Sequence, residues 1–115
     1  MSSTAHFTGV PLNTHGVVAK AGVDALSAQV AIELGPRGIT SNVISPGPIE
    51  GTEGVRRLVE NADMAKTARK IPCGRLGRLR DINNATIYLF SEAGDYVNGT
   101  VQIGQSFSIS VILTV

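Results

Sequence analysis

Cysteine, tryptophan and aromatic residues in general are scarce in this chain of 115 residues. Its single cysteine, Cys73, has no partner within the chain, which excludes an internal disulfide and favours a reducing compartment. We expect Cys73 to be a buried thiol without a catalytic role. Aromatic residues make up 4% of the sequence and tryptophan is absent, so Ala, Val, Ile and Leu must build the core.

Long apolar runs are also missing. No segment reaches the roughly 20 apolar residues that a membrane-spanning helix needs, and no basic stretch precedes an apolar one near Met1. We therefore expect a soluble, unsecreted protein without a membrane partner. Zinc-ligand spacing, a helix-turn-helix pattern and interleaved basic and aromatic residues are absent too, so we predict no metal site and no nucleic-acid partner.

The charges that are present are unevenly placed. Eight of the ten basic residues lie between Arg56 and Arg80, against two acidic residues, Glu60 and Asp63. Clustered guanidinium and ammonium groups bind phosphate oxygens through charge-assisted hydrogen bonds, so this segment could attract a polyphosphate ligand. The alternative is an ordinary solvated basic surface.

The first half of the chain predicts a long helix followed by a strand. The helix begins at Thr14 or His15 and ends at Leu34, because Gly35-Pro36 is a strong helix stop. Its residues divide among two apolar faces and one polar line. These are, in order, Val23, Leu26, Val30 and Leu34; Ala21, Ala25, Ala28 and Ile32; and Lys20, Asp24 and Ser27. Two apolar faces favour two partners, the sheet and a neighbouring subunit.

The remaining pattern predicts short elements around a parallel sheet. Residues 1–13 resemble the end of a strand and its loop, and a strand over Ile39–Ser45 stops at Pro46-Gly47-Pro48. Further elements are helices over Glu53–Glu60, with Thr52 as N-cap, and Asp63–Lys70, a helix capped by Asp81 and running to Ser91, and a strand over Val101–Ile103. The tail Phe107–Val115 is apolar and uncharged, and is a buried strand if paired or an aggregation hazard if exposed.

Several blocks of sequence together carry a family resemblance. They are Ala19-Lys20-Ala21-Gly22-Val23-Asp24-Ala25-Leu26, Glu33-Leu34-Gly35-Pro36-Arg37-Gly38-Ile39, Asn42, Pro46-Gly47-Pro48-Ile49, Arg75-Leu76-Gly77 and Tyr96-Val97-Asn98-Gly99-Thr100. In this order and spacing they resemble the C-terminal half of a short-chain dehydrogenase/reductase. Thr8-Gly9-Val10-Pro11, His15 and Gly51-Thr52-Glu53-Gly54 are most similar to peroxisomal 2,4-dienoyl-CoA reductases of fungal type.

The resemblance implies an α/β fold, a partial Rossmann-like, doubly wound parallel sheet in a single domain over 1–115. About 7–103 matches the family and 104–115 diverges from it. It also implies an NADPH-dependent oxidoreductase of fatty acid β-oxidation that transfers hydride to an unsaturated acyl-CoA. The family's Gly-rich phosphate loop has no counterpart here, so we expect this chain to be a fragment that is inactive alone. The resemblance also implies a peroxisomal location, although Leu113-Thr114-Val115 is not a peroxisomal targeting signal. Without the resemblance, we would expect the chain in the cytoplasm.

The same resemblance assigns site residues. Lys20 carries over as the catalytic lysine that binds the nicotinamide ribose, and Pro46, Gly47, Ile49 and Thr52 as cofactor-binding residues. Most family members place a tyrosine four residues before the lysine, where this sequence has Gly16, so reduction of an ordinary ketone lacks its proton donor.

Substrate contacts are assigned to three further residues, His15, Arg56 and Arg57, the alternative being a helix-start histidine and exposed arginines. The resemblance also implies a homo-oligomer in the full-length parent, formed through the helix around 15–34. Two other functions stay open: a noncatalytic oligomerising fragment, and another short-chain reductase that has lost its tyrosine. Asn98-Gly99-Thr100 matches a glycosylation sequon, but we interpret it as a structural turn.

Overall fold

The computed structural model describes residues 1–59 and 64–104, and within them the chain is an α/β structure. The helices are α1 (Ala5–Thr8), α2 (Thr14–Leu34), α3 (Glu53–Val59), α4 (Met64–Arg69) and α5 (Leu79–Phe90), with single 3₁₀ turns at Gly35–Arg37 and Glu92–Gly94. The strands are β1 (Val43–Ser45) and β2 (Val101–Ile103). Predicted helix ends at Glu60 and Asp63 and the apolar tail Phe107–Val115 lie outside the described residues.

The two strands pair in parallel, as the helix–strand order predicted. Val43 lies opposite Val101, and Ser45 lies opposite Ile103. The segment Ser2–Thr4 runs along the other edge of β1. Its amide groups donate from Ser2 to the Ile44 carbonyl at 2.9 Å and from Thr4 to the Pro46 carbonyl at 3.1 Å. Because donors and acceptors advance together, Ser2–Thr4 is aligned parallel to β1. Val43 and Ser45 are consequently buried.

β1 is shorter than the predicted Ile39–Ser45. Before Val43, the backbone makes one further bond, from the Gly99 amide to the Ser41 carbonyl at 2.9 Å, and side-chain amides supply the others: the Asn98 Oδ1 atom accepts from the Ser41 amide at 2.8 Å. Asn42 Oδ1 accepts from the Thr100 amide at 3.2 Å, and Asn42 Nδ2 donates to the Val97 carbonyl at 2.8 Å. Because both asparagines are used this way, the Asn98-Gly99-Thr100 turn is a structural connection, as interpreted from the sequence.

α2 has the predicted bounds, and its inward side combines the predicted polar line with half-buried residues of the first apolar face, Val23, Val30 and Leu34. The polar line makes the inward hydrogen bonds: the Lys20 carbonyl accepts from Ser2 Oγ at 3.2 Å, and Ser27 Oγ lies 2.8 Å from Ser41 Oγ. Ala31, one turn further, is the one α2 residue that is fully buried. Short polar residues allow the helix to approach the Ser2–Thr4 segment closely, whereas Leu26 and Ile32 stay 64% and 74% exposed.

Three smaller predictions are also corrected. The segment 1–13 contains the short helix α1 in addition to the strand-like run Ser2–Thr4. α5 begins at Leu79 instead of being capped by Asp81; Asp81 is its third residue and accepts a hydrogen bond from the Arg78 amide at 2.8 Å. Cys73 is exposed, not buried, because it lies in the turn that follows α4.

Candidate functional site

A loop with two prolines follows β1 and is held in place by backbone contacts. The Gly77 amide donates to the Pro48 carbonyl at 2.9 Å, and the Glu50 amide donates to the Gly77 carbonyl at the same distance. A Cβ atom at Gly77 would overlap Ile49 Cδ1, so a larger residue here requires the end of the Ile49 side chain to move. The loop is therefore held by the segment around Gly77, which leads into α5.

Thr52 closes the far end of this loop. Its hydroxyl donates to the Ile49 carbonyl at 2.7 Å and accepts from the Val55 amide at 3.4 Å. The second contact is the N-cap bond of α3 that the sequence predicted. Thr52 thus connects the loop to α3, which begins at Glu53.

The Ser2–Thr4 segment forms the opposite wall. Besides its backbone bonds to β1, Thr4 donates through its hydroxyl to the Pro46 carbonyl at 3.3 Å. α1 continues directly from this segment, and its residue His6 lies against Asp24 of α2. The strand-like segment, α1 and the loop after β1 therefore surround a common space.

That space is a cavity of about 360 Å³. A volume of this size lies within the roughly 300–1,000 Å³ typical of small-molecule sites. Its lining residues carry no charged side chain; they are Met1, Ser2, Ser3, Thr4, Ala5, Thr8, Val10, Pro46, Gly47, Pro48, Ile49, Thr52, Gly54, Val55, Leu79 and Ile82. Four predicted cofactor residues, Pro46, Gly47, Ile49 and Thr52, are among them. An uncharged lining with a few hydroxyl and backbone groups suits a neutral polar ring better than a phosphate.

Lys20 lies beside the cavity instead of lining it. Its ammonium group donates to the Met1 carbonyl at 3.3 Å, and Met1 is a lining residue. The Lys20 carbonyl accepts from Ser2 Oγ, so this residue holds both Met1 and the first residue of the Ser2–Thr4 wall. The structure thus places a positive charge next to an uncharged cavity.

Gly16 and His15 occupy the first turn of α2. Gly16 has no side chain, and a Cβ atom there would meet Asn13 Oδ1 at 2.5 Å. The structure therefore leaves no room for a larger residue at this position unless Asn13 moves. His15 is exposed and does not line the cavity.

Arg56 and Arg57 are exposed on α3 and share one carboxylate. Glu53 accepts from Arg56 Nε at 2.6 Å and from Arg57 Nε at 2.8 Å. The two guanidinium groups lower the pKa of Glu53 from 4.5 to about 2. Neither arginine lines the 360 Å³ cavity, so their predicted substrate contact would have to lie outside it.

A second ion pair holds the start of α5. Arg75 Nη1 lies 2.7 Å from Asp81 Oδ2 and also donates to the Leu76 carbonyl at 2.9 Å. The guanidinium group, together with the Arg78 amide, holds the pKa of Asp81 below its usual value. This pair fixes the turn that carries Gly77, and through it the loop after β1.

Sequence reasoning missed the wall formed by Ser2, Ser3 and Thr4, as well as His6. The available signal was the run of small hydroxyl residues Ser2-Ser3-Thr4, which lies in the segment that the sequence predicted to be the end of a strand. Hydroxyl side chains at the end of a parallel strand are well placed to line a site, because such sites form at the carboxyl ends of strands.

Comparison with known proteins gives a consistent set of relatives. A family model described as enoyl-(acyl carrier protein) reductase matches residues 1–103. A peroxisomal 2,4-dienoyl-CoA reductase of Saccharomyces cerevisiae is 50% identical over 103 residues, which are 90% of this chain and 35% of that protein. One of Danio rerio is 39% identical over 104 residues, again 90% of this chain and 35% of the relative. The chain thus spans about a third of the length of the curated relatives it matches.

Solved structures show the same likeness. A short chain dehydrogenase from Bacillus anthracis has a TM-score of 0.79 at 36% identity, over 90% of this chain and 40% of that one. A short chain dehydrogenase family protein from Francisella tularensis has a TM-score of 0.79 at 18% identity, over 89% of this chain and 46% of that one. The second likeness concerns the fold alone.

Proposed function

Because the chain belongs to the short-chain dehydrogenase/reductase family, we propose that it is part of an NADPH-dependent 2,4-dienoyl-CoA reductase. The whole reaction would reduce an unsaturated acyl-CoA of fatty acid β-oxidation by hydride transfer. The similarity to peroxisomal reductases of yeast and zebrafish supports this substrate class and a peroxisomal location. Since the chain spans about a third of their length, we propose that it is inactive alone.

The observation that carries the proposal is the uncharged cavity between the Ser2–Thr4 wall and the loop after β1. It brings together Pro46, Gly47, Ile49 and Thr52, and Lys20 lies at its edge. These residues fit the nicotinamide end of a dinucleotide, because the loop offers backbone groups and the lysine offers a charged donor for ribose hydroxyls. A bound nicotinamide cofactor would supply the hydride.

Gly16 supports the acyl-CoA substrate over an ordinary ketone. A ketone reductase needs a side-chain acid near the carbonyl, and Gly16 provides none. Reduction of a conjugated thioester instead places developing charge on the thioester oxygen, where hydrogen-bond donors stabilise it. Ser3 lines the cavity, and its hydroxyl, which accepts from the Ala5 amide, keeps its own hydrogen to donate, whereas the Thr4 hydroxyl already donates to the Pro46 carbonyl.

Further proposals concern the substrate and the assembly. His15, Arg56 and Arg57 would contact the acyl-CoA at the outside of the cavity, the arginines through its phosphate groups. α2 would form the interface of a homo-oligomer. Neither role uses a residue that lines the cavity, so each can be tested without disturbing it.

A chimeric enzyme tests the proposal. The matched 103 residues of the yeast reductase are replaced by residues 1–103 of this chain, and NADPH oxidation is followed with a 2,4-dienoyl-CoA and with a 3-oxoacyl-CoA. We expect turnover of the dienoyl-CoA only, and none by the 115-residue chain alone. Turnover of the 3-oxoacyl-CoA would instead favour a reductase that has lost its tyrosine and acts on ketones.

Lys20→Met in this chimera should lower kcat/KM about 10- to 100-fold, the effect of losing a charged hydrogen bond worth about 1.5–3 kcal/mol. Lys66→Met is the matched control, because Lys66 is exposed on α4 and does not line the cavity. Equal activities of the two variants would remove Lys20 from the proposed site.

A second candidate function is a noncatalytic oligomerising fragment. It is favoured by the apolar residues that α2 leaves exposed, among them Val18 at 65% and Ile32 at 74%. Co-expression of the chain with a full-length relative separates the two functions. A stable hetero-oligomer whose formation needs α2 would support this candidate, and failure to co-purify would count against it.

A further inference from the structure

His6 and Asp24 form a shielded pair that the proposed reaction does not use. His6 Nε2 lies 2.9 Å from Asp24 Oδ2, and the two side chains are 9% and 13% exposed. His6 belongs to α1 and Asp24 to α2, so the pair connects the helix beside the cavity to the long helix that carries Lys20.

The second ring nitrogen of His6 is also engaged. Nδ1 lies 2.6 Å from the Ser3 carbonyl oxygen. Since a carbonyl oxygen can only accept, Nδ1 must carry a hydrogen and donate it. The imidazole is therefore held at both nitrogens, by the cavity wall on one side and by α2 on the other.

These contacts determine where the hydrogens are. If Nδ1 alone carried one, neither carboxylate oxygen of Asp24 would have a donor among the described residues, although both are shielded from solvent. A buried carboxylate without a donor is strongly disfavoured. A hydrogen on Nε2 makes the ring an imidazolium 2.9 Å from Oδ2, so the shielded carboxylate is compensated by an ion pair.

We infer that His6, as an imidazolium held by Asp24, is the positioning residue that fixes the Ser2–Thr4 wall of the cavity against α2. The Ser3 carbonyl links the ring to the wall, and Ser3 and Thr4 both line the cavity. The other charged group near this contact is Lys20, one turn before Asp24, whose ammonium group is directed to the Met1 carbonyl. The importance of the wall for turnover rests on the proposed function, whereas the existence of the His6–Asp24 pair does not depend on it.

The chain labelled with ¹⁵N at its histidine rings tests the assignment. At pH 6–7 we expect two N–H signals for His6, with the exposed His15 as the internal reference. Asp24→Asn is the decisive variant, because its side-chain amide donates to Nε2 and keeps the geometry with one proton fewer. We expect His6 to show a single N–H in this variant, and the Thr4 amide to exchange within about twofold of the unmodified rate.

Removing the ring should release the wall. In His6→Ala we expect the Thr4 amide, which donates to Pro46, to exchange about 10- to 100-fold faster, as for loss of a charged hydrogen bond. His15→Ala should leave this rate unchanged. A single N–H on His6 in the unmodified chain, or an unchanged Thr4 rate in His6→Ala, would overturn the inference. If His6→Ala does not fold, the ring signals of the Asp24→Asn variant decide. None of these measurements involves NADPH, so a failed chimera would not be confused with a failed pair.

Discussion

Thr52 uses its hydroxyl twice within the protein, as donor to the Ile49 carbonyl and as acceptor from the Val55 amide. The sequence predicted its N-cap role, which the structure confirms. Its contact with a cofactor stays a prediction, and the geometry sets a condition on it. A ligand that accepts from this hydroxyl has to compete with the 2.7 Å bond to Ile49, whereas a ligand that donates to it can use the lone pair that the Val55 amide does not occupy.

Glu53 gives a pH prediction at the residue scale. Because its pKa is lowered from 4.5 to about 2, its contribution to α3 is fully present above about pH 4.5 and is lost as the pH falls towards 2. We expect a carboxyl titration midpoint near 2 by NMR at low salt. The energetic effect should be small and salt-sensitive, since both partners are exposed.

A double variant supplies the control for this titration. Replacing Arg56 and Arg57 by Gln removes both donors, so the midpoint of Glu53 should return towards 4.5. A midpoint that stays near 2 in this variant would show that the two guanidinium groups are not the cause.

Among the elements, β1 departs most from its prediction, since it is held by asparagine side chains before Val43. The alternation of apolar residues along a strand does not predict such side-chain contacts. They form because Asn42 and Asn98, which are 56 positions apart in the sequence, both lie beside this strand in the folded chain. The same contacts tie β1 to the turn before β2.

Asn42→Ala should lower the free energy of unfolding by about 1–3 kcal/mol, because it leaves the Val97 carbonyl and the Thr100 amide without their partner. The midpoint of chemical denaturation measures the change. Asn83→Ala is the control, since Asn83 is exposed on α5 and should shift stability by no more than about 0.5 kcal/mol.

Replacement of two glycines, Gly77 and Gly22, by alanine should change the free energy of unfolding in opposite directions. Gly77→Ala displaces the end of the Ile49 side chain and should destabilise the protein by about 1 kcal/mol, the cost of an unfavourable rotamer. Gly22→Ala places a methyl group in open space within α2 and should stabilise it by up to about 1 kcal/mol. Thermal unfolding of both variants compares them directly, and destabilisation by Gly22→Ala would contradict the open environment.

At the scale of the whole molecule, part of the apolar surface of α2 is exposed. Leu26 is 64% exposed and Ile32 74% exposed, on a helix whose polar line contacts the sheet side. Among helices within the described ranges, none combines the length and apolarity needed to cross a membrane. Exposed apolar residues on a long helix are typical of protein–protein contact.

Self-association through α2 is therefore testable. Leu26→Glu and Ile32→Glu together should reduce association of the chain about tenfold or more in analytical ultracentrifugation, because a charge cannot be buried at such a contact without a partner. The matched control is Glu33→Gln, an exposed polar change on the same helix. Equal association of both proteins would exclude α2 as the interface.

The sequence by itself determined the bounds of α2, the parallel relation of β1 and β2, the N-cap role of Thr52 and the family. Each of these depends on local spacing, on turn residues or on blocks of residues in order. Only the tertiary structure decided which face of α2 meets the sheet, how far β1 extends, and that His6 meets Asp24 beside a common cavity. Those outcomes depend on contacts between residues distant in sequence, which the hydrophobic pattern of a single helix does not encode.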